Sequence, residues 1–145
     1  MSPPVPDFFV QTNDDARRSQ AQWLSEHMGL DGVALADVLG CSPEPLARWR
    51  DGLATLAEPH RNILDSLWSL VRHLLSFCGF DSRRARTMLD SRVPDSGSPL
   101  APPWQGGSLR RHLRDGGARA IEQSRRFIIG LRFGPAPTAA PEDQR

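Results

Sequence analysis

The sequence predicts an all-α protein, a helix-turn-helix head followed by a helical C-terminal region, on three observations. The stretch Ala34 to Gly52, ALADVLGCSPEPLARWRDG, reads as a helix, a tight turn and a second helix. Between His60 and Phe77, Ile63, Leu67, Leu70, Val71, Leu74 and Phe77 recur at helical spacing. No segment reads as a convincing strand, and no internal repeat appears.

The first helix starts at a cap supplied by Asn13 or Asp14 and runs to about His27, with Gly29 ending it. Ala16, Gln20, Trp23 and Leu24 mark its inner side. The second spans about Val33 to Leu39, presenting Leu35, Ala36 and Leu39 to one face. Gly40 stops it, because a residue without a side chain adopts the left-handed conformation at little cost. Ser42 is the expected N-cap of the third helix, Pro43 to Arg50. Pro43 sits at a position whose N–H is not needed. Leu46 and Trp49 fall three apart on its inner face, and Gly52 closes it.

In the long helix 60–77, Leu64, Trp68 and Leu75 widen the apolar stripe. A helix apolar on more than one side is packed by several neighbours or by a partner chain. Gly79 stops it, and Ser82 starts a shorter helix through Met88 and Leu89. Residues 91–107, SRVPDSGSPLAPPWQGG, are read as a loop on their Pro, Gly and Ser content. Ser108 caps a short helix with Leu109 and Leu113 inward, and Gly116 and Gly117 break it. A last helix runs from about Ala118 to Leu131, with Ile121, Ser124, Phe127, Ile128 and Leu131 inward. Ile129 falls off that stripe and reads as a contact residue. The expected organisation is a flexible tail (1–12), a head (13–58), a helical region (59–134) and a second flexible tail (135–145).

The 145 residues carry a net charge of +1, unevenly divided: −5 over residues 1–60 and +6 over residues 61–145. Every fixed cation is an arginine, a side chain that pairs bidentately with carboxylates and phosphates. No apolar run is long enough for a membrane span, and MSPPVPDFFV lacks the pattern of a signal peptide, so a cytoplasmic location is expected. Cys41 and Cys78 read as buried free thiols. His27, His60, His73 and His112 have no metal-type spacing, and neither a glycine-rich phosphate loop nor a nucleophile elbow appears. No catalytic residues, metal site or cofactor are expected, and the chain does not read as an enzyme.

The head offers one candidate surface. A recognition helix from Ser42 would bring its first-turn residues, with Glu44, Arg48 and Arg50, towards DNA. Arg48 has the geometry to read guanine, and Ser42 to hold a phosphate. Arg17, Arg18, Arg48 and Arg50 would form a basic strip if they share a face. The acidic balance of the head opposes phosphate binding. Further arginine clusters (Arg83, Arg84, Arg86; Arg110, Arg111, Arg114; Arg125, Arg126) lie in a region that also holds Trp104, Phe127 and Ile129. They read either as a solvated helical face or as a contact for nucleic acid or an acidic protein partner, and the neighbouring apolar residues make an interface plausible.

The chain resembles the Xre/MbcA/ParS family of type II antitoxins. The head, LADVLGCSPEPLARWRDG, is similar to an Xre-type helix-turn-helix. The Gly106–Gly107 turn, the short helix from Ser108, GGARAIE and FIIGL are similar in order and spacing to the family's C-terminal toxin-binding domain. Ser108 followed directly by Leu109 departs from the Ser/Thr-Pro-Leu start usual there. The resemblance implies a helical toxin-binding and dimerisation domain, and a homodimer within a hetero-oligomer. The partner it implies is a RES-domain toxin that degrades NAD, blocked at its active site, and the head would repress the chain's own operon. By position it assigns toxin contact to Arg125, Arg126, Phe127, Ile129, Arg132 and Gly134. The alternatives are a stand-alone Xre-type regulator bound to operator DNA and an interaction module that binds no DNA.

Overall fold

A computed structural model describes residues 13–133. Six helices follow one another: α1 (Asp14–Met28), α2 (Gly32–Leu39), α3 (Pro43–Arg50), α4 (Glu58–Phe77), α5 (Ser82–Asp90) and α6 (Leu109–Phe133). The fold is all-α. Among the described residues the one β feature is an isolated antiparallel bridge between Arg92 and Ser108. The two expected tails lie outside the described residues.

Local chemistry accounts for most of the boundaries. The Asn13 side chain accepts from the Ala16 N–H at 2.8 Å, and Asp14 and Asp15 place negative charge at the positive end of α1. Left-handed Gly29 lets the Leu30 N–H turn back to the Leu24 carbonyl. Ser42 holds the N-cap position of α3, but its hydroxyl makes no capping hydrogen bond. α5 starts at Ser82 as expected, and Asp81 caps it: its carboxylate accepts from the Arg83 and Arg84 N–H groups. Ser108 caps α6 as expected, accepting from the Arg111 N–H at 3.2 Å.

One core joins the head to the rest. Leu24 and Met28 of α1, Leu35 and Leu39 of α2, and Leu46 and Trp49 of α3 are fully buried. They belong to the same apolar cluster as Leu64, Leu67, Leu70 and Leu74 of α4 and Ile121 and Ile128 of α6. The two ends of the expected inner faces depart from this. Phe77 is 42% exposed and Leu131 is 44% exposed, because each lies at the end of its helix, beyond the neighbours that cover the middle. Cys41 and Cys78 are free and half-buried, and burial pushes both thiols up from their ordinary range.

The expected break near residue 116 is a kink at Gly117 (φ 55°, ψ −133°), after which the helix resumes and continues to Phe133. Only glycine adopts this backbone readily. The kink also brings Gly117 against α2, where a Cβ would stand 3.5 Å from the Val38 carbonyl oxygen. Gly117→Ala is therefore expected to lose about 1–3 kcal/mol of stability. Gly130 has helical geometry and open space around it. Gly130→Ala should be neutral or gain up to about 1 kcal/mol. Thermal unfolding of the two variants checks the contrast.

Residues 91–107 form a loop pinned to the body. Val93 exchanges backbone hydrogen bonds with Gly106 and Gly107. The Gln105 side chain accepts from the Ser96 and Gly97 N–H groups. Trp104 is 4% exposed, so this loop contributes to the core. Arg110 closes the base: its Nη2 donates to the Met28 carbonyl at 2.6 Å, and its guanidinium pairs with Asp90.

Candidate functional site

Two surfaces carry the residues singled out in the sequence. On the first, α2 ends at Gly40 (φ 76°) and the chain turns through Cys41 into α3. Burial of Leu46 and Trp49 orients α3, leaving Ser42, Glu44 and Arg48 exposed on its outer side. Arg50 is half-buried and donates from Nη2 to the Gln22 side chain at 2.9 Å.

The four head arginines do not act as one free strip. Arg17 donates Nε and Nη2 to the two Asp65 carboxylate oxygens, each at 3.0 Å, and this hydrogen-bonded pairing raises its pKa. Arg18 donates to the Trp49 carbonyl at 2.7 Å, lies over the Trp49 ring at 5.6 Å, and pairs with Asp15. These two arginines fasten α1 to α4 and α3. Arg48 is exposed, and its side chain makes no ion pair or hydrogen bond among the described residues. Glu44, one helical turn before Arg48, puts a negative charge beside it.

The second surface lies along the end of α6. Arg125 donates Nε and Nη2 to the Glu122 carboxylate at 3.1 Å each, and Arg126 donates Nε to the same group at 2.9 Å. Hydrogen bonds from Arg125 and then Arg126 hold the Glu122 carboxyl below its ordinary range. Two guanidinium groups share one carboxylate, which orders the arginines and leaves a net positive edge. Arg126 remains 78% exposed at its side chain, and Ile129 is half-buried.

Phe127 points elsewhere. Its ring meets Trp104 edge-on at 5.4 Å, and it lines a groove of about 550 Å³ between α5, the 91–107 loop and α6. Met88, Val93 and Pro102 complete the apolar lining, with Arg83 and Arg84 at the rim. Residues 125 and 129 share one stripe of the helix, whereas 127 lies about 200° around from 125. The expected contact residues are thus split between two flanks of α6. Arg132 lies in the last turn of α6. The Arg132 side chain and all of Gly134 fall outside the described residues.

The groove was not visible in the sequence, although Arg83, Arg84 and Met88 were. Its signal would have been the pairing of Trp104 with Phe127, two aromatics 23 positions apart with only a loop residue's context for one of them. Among the described residues, no group of three or more His, Cys, Asp or Glu side chains is placed to hold a metal ion. No helix there is long and apolar enough to cross a membrane. No protein-family model matches the chain, and no curated protein matches it.

Proposed function

We infer that the chain is an antitoxin that binds a partner protein through the end of α6 and blocks the partner's active site. The observation that carries this is the arginine edge of half-buried Arg125 and exposed Arg126, joined through Glu122 beside Ile129, on a helix whose opposite side is locked into the core. Such an edge combines charge with apolar area, as protein contacts do. The resemblance of the sequence to Xre/MbcA/ParS antitoxins names the partner class, a RES-domain toxin that degrades NAD.

A growth assay tests this reading. The neighbouring open reading frame is expressed alone and then together with this chain. Toxicity relieved by a copurifying partner supports it. A harmless neighbour that does not associate removes it.

A second reading rests on Arg48, the exposed arginine of α3 with no partner among the described residues. In this reading α3 approaches operator DNA, with Ser42, Glu44 and Arg50 beside Arg48, and the chain regulates transcription. Arg48→Ala should then weaken binding to upstream DNA and reduce the slope of log affinity against log salt by about one. Absence of any mobility shift at low salt for the parent protein would remove the DNA reading and leave a protein-interaction module.

A further inference from the structure

The groove between α5, the 91–107 loop and α6 encloses about 550 Å³, within the range of small-molecule sites. Its floor is Met88, Val93, Pro102, Trp104 and Phe127. Trp104 is 4% exposed and meets the Phe127 ring edge-on at 5.4 Å. The loop that carries Trp104 is fastened by backbone hydrogen bonds of Val93 to Gly106 and Gly107, at 2.7 and 2.9 Å. These bonds fix the walls, so little free energy is lost in ordering them when a ligand binds.

The charge at this groove has one sign. Arg83 and Arg84 line it, and none of its lining residues is acidic. The Arg83 side chain is exposed and makes no ion pair or hydrogen bond among the described residues. Arg84 reaches the Asp81 carboxylate only at 3.8 Å, and its side chain is 77% exposed. That carboxylate already accepts from two backbone N–H groups of α5. Position on α5 fixes how the cations sit relative to the floor. Arg84 and Met88 are four residues apart, as are Arg83 and Thr87, so each arginine lies one turn, about 6 Å of helix, before a groove residue. Thr87 adds a hydroxyl on the polar side.

The occupant matched to this arrangement has an apolar body and a single anionic end. The floor favours an aromatic body over an aliphatic chain. The Trp104 and Phe127 rings offer edges and faces to a third ring. The Met88 thioether is favourable against an aromatic. A guanidinium stacks on aromatic faces and pairs bidentately with a carboxylate.

We propose that this groove is a binding site for a small aromatic carboxylate, with its ring among Met88, Trp104 and Phe127 and its carboxylate paired with Arg83 and Arg84. The site uses no residue of α3 or of the Arg125, Arg126 and Ile129 edge, so it goes beyond the antitoxin and DNA readings and stands whether or not either holds.

The full chain, labelled at its methionine methyl groups and titrated with 2-naphthoate by NMR, tests it. The Met88 methyl is expected to shift saturably, with a dissociation constant at or below about 1 mM. The methyl of Met28, fully buried and outside the groove, should stay in place. R83Q/R84Q should weaken binding about 10-fold or more through loss of charge-assisted hydrogen bonds, while keeping the parent's thermal midpoint. R114Q/R119Q, an equal loss of charge at exposed positions that do not line the groove, should bind like the parent. The neutral counterpart, 2-naphthamide, should bind the parent about 10-fold more weakly than naphthoate does. No saturable shift of Met88 overturns the proposal. Binding that R83Q/R84Q and the amide leave unchanged also overturns it, since it then rests on apolar area alone. Decanoate binding as tightly as naphthoate removes the aromatic requirement and overturns it as stated. Binding seen only in F8S/F9S would mean that those side chains, from the same chain or a second copy, hold the groove, and that too overturns it.

Discussion

Trp49→Ala is expected to cost about 3–5 kcal/mol of folding stability, the range for truncating a fully buried tryptophan. Trp49 is 0% exposed and is the largest of the fully buried side chains. Its removal leaves a cavity between α3 and its neighbours that the short helix cannot collapse to fill. It also removes the ring under the Arg18 guanidinium, while the hydrogen bond from Arg18 to the Trp49 carbonyl survives because it uses the backbone. Trp49→Phe keeps most of the volume and deletes an indole N–H that has no hydrogen-bond partner. It should therefore cost much less, of order 1 kcal/mol. Urea unfolding followed by circular dichroism measures both, with the midpoint moving and the slope unchanged. A loss under about 1 kcal/mol for Trp49→Ala would mean that α3 unfolds apart from the core.

The same residue shows what the sequence made legible. Leu46 and Trp49, three apart between a proline and a glycine, define an inner face without any knowledge of what they pack against. The long stripe of α4 was readable for the same reason: one period repeated over 20 residues outweighs any local ambiguity. Periodicity fails where burial depends on a neighbour from distant sequence. Phe77 and Leu131 carry the right spacing but lie past the end of the packed region, and both are substantially exposed. Trp104 carries no period at all, yet it is buried because the Val93 backbone bonds to Gly106 and Gly107 fold the loop over Phe127.

The candidate sites were legible as residue types and illegible as arrangements. Sequence placed Arg17, Arg18, Arg48 and Arg50 in one region, but the carboxylate of Asp65, 48 residues from Arg17, claims one of them. The main chain of Trp49 claims another, and Gln22 a third. Pairing partners of this kind come from other helices and follow no spacing rule. Likewise, Arg125 and Arg126 read as adjacent charges, whereas their shared hold on Glu122 turns them into an ordered edge. Phe127, placed inward by its helical spacing and assigned to toxin contact by the resemblance, lies on the flank of α6 that faces the groove.

That separation sharpens the test of partner binding. Phe127→Asp would place a carboxylate against Trp104 in the groove, so loss of neutralisation could follow from damage to the fold. Arg126→Glu with Ile129→Asp changes the exposed flank instead; the two positions are one helical turn apart and Arg126 is 78% exposed. The double variant reverses a charge beside Glu122 and puts a second carboxylate where an apolar contact is proposed. Two such changes at the centre of an interface remove about 4 kcal/mol, close to a 1,000-fold loss of affinity. On the proposed antitoxin reading, cells that express the partner with this variant should die as if unprotected, while the purified variant keeps the parent's helical signal and thermal midpoint. Arg92→Glu, the same reversal as at Arg126 but on the exposed loop, should still protect. If the double variant folds, binds the toxin with unchanged affinity and protects fully, the contact does not lie on this flank of α6. Failure of Arg92→Glu as well would trace the effect to overall charge rather than to a contact on α6. Protection by the control and death with the double variant would tie neutralisation to the flank of α6 that carries Arg126 and Ile129, opposite the groove.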